Sequence, residues 1–278
     1  MTEPTKTVRY GQVNTELLKS WLRLPPEEDG PFWAVNLMKY RDRADYADGG
    51  GGQITGREAD DRYTPRESLR AIGAQIVFVA DVDAQLLGDE PKWDRVAIVK
   101  YPSRRAFVEM QSRADFKEKH VHKDAGMEQT IVMACQPMGL PELPVDAPAW
   151  ADVPHPPTDE DGSVVVIHVL KFKGTAGSIG EMTSYTDHAG KIAVPHGVRL
   201  DGWFTVEGTI VGDGRSWDQA RFNAFPSKKA FMAVVLDPDR LQAQREHRET
   251  AIEETYTMIL RPTLNRLAES TGMGHARG

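Results

Sequence analysis

The feature that most constrains what this chain can fold into is an internal repeat. Gly73, Gly88-Asp89, Trp93-Asp94, Pro102-Ser103 and Ala106-Phe107 recur as Gly197, Gly212-Asp213, Trp217-Asp218, Pro226-Ser227 and Ala230-Phe231, all at an offset of 124. With Val82 and Val206 these make ten identities over the 41 positions from 73 to 113. Upstream, the run from Val35 to Tyr40 matches Ile167 to Phe172 in type. Downstream, His122 and Pro137 correspond to His247 and Pro262 at an offset of 125. A constant spacing across identical glycines and tryptophans reads as a tandem duplication.

The repeat sets the expected boundaries: an N-terminal helical extension over 1–30, a first repeat over 31–137, a second over 163–262 and a tail over 263–278. Thr15 to Leu24 carries Leu17, Leu18, Trp21, Leu22 and Leu24 at helical spacing. Between the repeats, 138–162 holds Pro141, Pro144, Pro148, Pro154, Pro156 and Pro157. That density predicts a stiff, extended linker. Within each repeat the pattern predicts β-α-β-β-α-β. Strands are expected at Phe32–Tyr40, Ile76–Val82, Arg95–Tyr101 and Gln129–Cys135, and in the second repeat at Val164–Phe172 and Thr255–Leu260. One helix is expected from Tyr63 to Ile72, capped by Gly73, and another from Ser103 through Phe107, Met110 and Phe116 towards His122. This order is the ferredoxin-like arrangement, an antiparallel sheet with both helices on one face. Two α+β copies packed sheet to sheet would bury the faces that each leaves bare.

Composition narrows the function classes. The 278 residues are 40% hydrophobic and 27% charged, with a net charge of −7, which disfavours binding to a phosphate backbone. No apolar run approaches the roughly 18 residues of a membrane span, and Met1 to Lys6 lacks the apolar core of a signal peptide. A lone Cys135 excludes an internal disulfide and a cysteine metal site. A cytoplasmic small-molecule protein is expected, without nucleic-acid or membrane partners.

The segment Tyr101-Pro102-Ser103-Arg104-Arg105-Ala106-Phe107, followed by Met110, Phe116-Lys117 and His120, resembles the second-helix region of the dimeric α/β-barrel superfamily. Its nearest likeness is an uncharacterised family related to the antibiotic-biosynthesis-type monooxygenases. The resemblance implies a dimeric α/β barrel formed within one chain, as a monomer with an intrachain pseudo-dimer or as a homodimer. It also implies monooxygenase-like chemistry on an apolar carbonyl- or phenol-bearing substrate, with no cofactor, or with heme as the alternative. Among the heme-degrading members, a strand Asn, a helix His and an aromatic line the pocket. Those positions fall on Asn36, His120 and Tyr101 here, where such enzymes usually have Trp for the aromatic; the second repeat has His168, Arg245 and Phe225.

Strand alternation gives an independent view. Phe32, Ala34, Asn36, Met38 and Tyr40 share one face, as do Val164, Val166, His168, Leu170 and Phe172. Asn36 and His168 each interrupt an apolar row, so each needs either a hydrogen-bond partner or a task. The first and third strands of such a sheet are adjacent, so His168, Arg221 and Asn223 are expected to converge, where Arg221 could grip an anionic or carbonyl-bearing ligand. The alternative is an ion-paired Arg221 at the interface between copies. Candidate catalytic residues are thus His120, Asn36 and His168, with Arg221, Asn223, Tyr101 and Tyr40 binding substrate. No His-x-x-x-His pair exists, which disfavours zinc. Gly49–Gly52 is expected to form a flexible insert, a candidate lid. A non-oxidative isomerase, cyclase or lyase using histidine as base, and a binding protein for heme or an apolar ligand without turnover, are the other functional readings.

Overall fold

The structure is a computed structural model and describes residues 7–49, 53–174 and 177–272. Of the expected lid at Gly49–Gly52 only Gly49 is described, and 50–52 lie outside the described residues. In chain order the elements begin with β1 (Thr7–Val8), β2 (Gly11–Val13), α1 (Thr15–Arg23) and β3 (Phe32–Tyr40). Next come α2 (Gly56–Tyr63), α3 (Arg66–Ala71), β4 (Gln75–Leu87), β5 (Arg95–Tyr101), α4 (Arg104–Met110), α5 (Ala114–Gly126) and β6 (Met127–Pro137). The later part holds β7 (Val164–Phe172), α6 (Ser178–Ala193), β8 (Arg199–Gly212), β9 (Gln219–Phe225), α7 (Lys228–Leu236) and α8 (Pro238–Ala243). A π-helical turn (Gln244–Arg248) leads to α9 (Glu249–Ala251), β10 (Ile252–Asn265) and α10 (Leu267–Thr271). Among the described residues no helix is long and apolar enough to cross a membrane.

The chain divides into two compact units of mixed α+β structure. The first takes Met1–Ala80, Glu90–Gln136 and Val206–Ser216; the second takes Asp81–Asp89, Pro137–Thr205 and Trp217–Gly278. Strand β4 therefore begins in the first unit and ends in the second, and β8 does the reverse.

In the first unit β3 lies between β5 and β6, both antiparallel to it, with Asn36 opposite Ala97 and Val132. The core gathers Trp21, Phe32, Leu69, Tyr101, Met110 and Phe116. Phe32 stacks on Tyr101 with ring centroids 5.2 Å apart, and Phe107 meets Tyr101 edge-on at 5.0 Å. Trp21 holds α1 in place by donating its Nε1–H to Glu207 Oε1 (2.7 Å), and Arg104 grips the same carboxylate through Nε and Nη2. Ahead of α1 the region 1–30 also carries the β1–β2 hairpin, which helical spacing did not reveal. The helix expected over Tyr63–Ile72 is two helices, because Pro65 offers no N–H and pushes Thr64 out of helical geometry. The next expected helix is likewise split into α4 and α5 around residues 111–113.

In the second unit β7 lies between β9 and β10, again antiparallel. Val164, Val166, Phe225, Phe231, Val234 and Ile259 form one buried cluster. Several first-unit contacts recur here residue for residue. Asp94 accepts from Tyr40 N (2.8 Å) and ion-pairs with Lys39, while Asp218 accepts from Phe172 N (2.7 Å) and ion-pairs with Lys171. Asp29 takes the backbone N–H groups of Arg104 and Arg105, and Asp161 takes those of Lys228 and Lys229. Ser103 and Ser227 cap α4 and α7 alike, each at 3.0 Å. Gly73 and Gly197 both turn the chain with φ of +75° and +80°, a region that favours glycine.

Two expectations are corrected. The proline-rich segment 138–162 is irregular but packed: Val153 is buried and Trp150 donates its Nε1–H to Gly197 O at 2.7 Å. Within the segment expected to be a tail, β10 runs to Asn265 and α10 is seated by the fully buried Leu267.

Candidate functional site

The pleat of β7 and its two neighbours builds one polar row across the second unit's sheet. His168 stands opposite Arg221 on β9 and opposite Thr257 on β10, and Asn223 stands opposite Val166 one step along. Side chains directly opposite on neighbouring strands share a face, so all of these project to one side. His168 Nδ1 lies 3.1 Å from Thr257 Oγ1. Arg221 donates from Nε and Nη2 to Gln219 Oε1 (2.9 and 2.7 Å) and from Nη1 to Thr186 Oγ1 (3.0 Å). Its guanidinium lies 4.3 Å from the Trp203 ring centroid, and the Trp203 Nε1–H donates to Asn223 Oδ1 at 2.8 Å.

This row forms one wall of a cavity of about 1100 Å³ that lies wholly within the second unit. The opposite walls are apolar, with Met182, Val198, Phe225, Phe231, Val234 and Val235. Pro141, Leu143, Pro144 and Pro148 close it from the segment expected to be a plain linker. The helical side supplies the exposed Lys191 and two more guanidiniums. Arg240 donates to the Tyr185 hydroxyl from Nε and Nη2 (both 3.3 Å) and to Val235 O (2.7 Å), and Arg248 donates to Thr255 Oγ1 (3.1 Å). Arg221 is 8% exposed and Arg248 6%. Among the described residues none of the three guanidiniums is ion-paired with a carboxylate, which rules out the interface ion pair as the partner of Arg221.

The electrostatics follow from that geometry. Burial, then the charges of Arg248, Arg221 and Arg240, push the His168 pKa down to about 3. It is therefore neutral at physiological pH and a poor resting base. Burial and then Arg248 lower Arg221 to about 10, still charged at neutral pH. The cavity thus presents positive charge, a neutral imidazole and an apolar bed.

The other sequence candidates lie in the first unit, outside this cavity. Asn36 donates its amide N–H groups to the carbonyls of Ala34 (2.9 Å) and Ala97 (3.3 Å). His120 Nε2 lies 3.0 Å from the Tyr10 hydroxyl. The Tyr40 hydroxyl donates to the buried Asp60 (2.7 Å), and Tyr101 sits in the aromatic core. In the second unit Arg245, which takes the position matching His120, is exposed, whereas Arg248 three residues on is buried. The π-helical turn over Gln244–Arg248 re-phases that helix face. Thr186, Trp203, Gln219, Arg240 and Arg248 were not singled out from sequence. His188 and His247 stack at 5.6 Å, with His247 on Glu181, and the described residues hold no cluster of three or more metal-ligating side chains.

Heme would need an imidazole aimed at its iron. His168 is the one imidazole among the lining residues, its Nδ1 lies 3.1 Å from Thr257 Oγ1, and the guanidiniums of Arg221, Arg240 and Arg248 are donors that would suit propionates. No step is routed through heme.

No protein-family model matches the chain, and no curated protein does. Solved structures do. An anthrone oxidase-like protein shares 13% identity over 90% of this chain and 98% of its own, with a TM-score of 0.51. The RPA0582 protein of Rhodopseudomonas palustris, of unknown function, shares 27% identity over 48% of this chain and all of its own, with a TM-score of 0.41. A protein of Lactobacillus acidophilus named as a candidate monooxygenase shares 12% identity over 85% and 97%, with a TM-score of 0.42. The first of these likenesses shows that the two proteins share an α+β fold.

Proposed function

We propose that this chain is a small-molecule enzyme of monooxygenase-like type, acting in the second unit's cavity on an apolar carbonyl- or phenol-bearing compound. The observation that carries this reading is the union of an apolar bed with buried guanidiniums that have no carboxylate partner. Such a site favours the enolate or phenolate form of a bound substrate, because positive charge in a water-poor cavity stabilises developing negative charge. That anion is the electron-rich species that dioxygen oxidises. The net change at an activated methylene is CH2 + O2 → C=O + H2O, with dioxygen as oxidant and no bound cofactor required. His168, neutral and tied to Thr257, serves as a hydrogen-bonding partner to the substrate oxygen.

The site is assigned to the second unit. Asn36 is satisfied by backbone carbonyls, which supports a structural role for it. The matched contacts of Asp94 with Asp218 and of Asp29 with Asp161 support an origin by duplication, after which the two segments diverged in what their central strands carry.

The test is oxygen uptake with anthrone and 1,8-dihydroxyanthrone, measured against the uncatalysed rate. One O2 consumed per quinone formed, lost in Arg221→Met, is the expected result. Conversion of the same compounds without oxygen would replace this reading by the acid–base alternative. Saturable binding without any conversion would leave a binding protein, and a stoichiometric Soret band on hemin titration would restore heme.

A further inference from the structure

We infer that the ligand of this cavity carries a carboxylate on a bulky, ring-based apolar body, and that the carboxylate lies across open guanidinium edges of Arg221 and Arg248. The inference rests on the preceding reading only for the location of the site. It adds the head group that the site is shaped to hold.

A donor count carries the argument. A guanidinium has five N–H groups. Arg221 uses its Nε–H and one Nη2–H on Gln219, and one Nη1–H on Thr186. That leaves one N–H on each terminal nitrogen to offer to a carboxylate. Arg248 spends one N–H on Thr255. Arg240, by contrast, is largely committed to Tyr185, Gln244 and Val235 O, so it contributes charge more than open donors. The acids that line the cavity, Glu142, Asp146 and Asp187, are exposed and pair with none of the three, and the exposed Glu249 acts on Arg248 without an ion pair. A buried charge without a counter-charge is strongly disfavoured. Two such cations lining one cavity, together with apolar side chains, make a receptor for an anion from outside the chain. The planar edge suits carboxylate, and the face of Arg221 is already occupied by Trp203. With an ionised phenol or enol as a second negative group, the ligand would oppose two charges to three.

The test is a fluorescence titration of the full chain with anthracene-2-carboxylate and with the neutral isostere anthracene-2-carboxamide, in a low-salt buffer free of carboxylate and phosphate. The carboxylate is expected to bind at least tenfold more tightly than the carboxamide. Arg221→Met and Arg248→Gln should each remove most of that preference while leaving carboxamide affinity within about threefold. Thermal unfolding of each variant confirms the fold; if Arg248→Gln does not fold, Arg221→Met and Arg240→Gln carry the comparison. Equal affinity for the two probes, or a preference that survives Arg221→Met, overturns the inference. So does displacement of the carboxylate by millimolar inorganic phosphate without an effect on the carboxamide, which would assign the edge to a phosphoryl head. Tight carboxylate binding with no oxygen uptake would leave this inference standing and remove the oxidative one. Oxygen uptake with no carboxylate preference would do the reverse.

Discussion

Replacing Arg221 by methionine is expected to raise the thermal stability of the ligand-free protein. The guanidinium is 8% exposed, and burial lowers its pKa to about 10, well below the ordinary guanidinium value. At about 1.4 kcal/mol per pH unit, that depression opposes the folded state by about 3 kcal/mol at pH 7. Stacking on Trp203 and the bonds to Gln219 and Thr186 favour the charged form, so the depression already includes them. Methionine keeps much of the apolar stem and removes the charge. It leaves the Gln219 carbonyl and the Thr186 hydroxyl to find water in the cavity, which costs about 1 kcal/mol. The balance is a gain of about 1 to 2 kcal/mol, or roughly 2 to 8 °C in the unfolding midpoint. The sign follows from linkage: a base whose folded pKa is depressed penalises folding fully below that pKa, and the penalty fades as pH rises above about 10 towards the ordinary guanidinium value. The advantage of the variant should therefore be complete at pH 7 and shrink above pH 10. Circular dichroism melts in a low-salt buffer without carboxylate or phosphate read the difference directly. A midpoint more than about 4 °C below the parent would refute the reasoning, because Arg221 would then be a structural cation whose contacts outweigh its charge.

Two further outcomes concern the scaffold. Ser103→Ala should cost about 1 kcal/mol in urea unfolding as a lost cap. Ser227→Ala should cost about 2 to 3, because Ser227 Oγ, besides accepting from Ala230 N, donates to His155 O in a buried setting; equal losses would mean that the His155 contact contributes nothing. Burial opposes ionisation of Glu207, yet the bonds from Arg104 and Trp21 win and hold its pKa below the ordinary 4.5. Its contribution is therefore present above pH 4.5 and lost as pH falls through the depressed value, so Glu207→Gln should flatten the acid limb of the stability profile. An unchanged acid limb would count against this.

Much of the scaffold is legible in the sequence because its signals are local. Continuous apolar runs place β3 and β7 to the residue, and Ser103 and Ser227 mark their helix starts. The adjacency of first and third strands brings His168 and Arg221 opposite each other, which needs only the βαββαβ order. The rest of the cavity depends on distant contacts. A proline-rich stretch declares that it forms no regular element, but it does not declare what it covers, so Pro141 to Pro148 reads as a linker and not as a wall. Arg248 is hidden for a different reason: a regular helical phase points to Arg245, and the π-helical turn is visible only in three dimensions.

The contrast between the two central strands is the strongest physical argument about where function resides. The matching cross-strand rows are Ala97–Asn36–Val132 in the first unit and Arg221–His168–Thr257 in the second. In the first row the one polar side chain closes on backbone carbonyls and leaves neighbours apolar, which is how a sheet disposes of a buried amide. In the second, a buried cation retains two open donors beside a neutral imidazole, and a second buried cation, Arg248, feels the exposed carboxylate of Glu249 without forming an ion pair with it. Folding alone gives no reason to keep such a set, since apolar residues of the same size would fold more stably. A ligand that brings the missing negative charge does give one. Where the scaffold is shared and only one row keeps such charge, that row is the one to which the proposed binding is assigned.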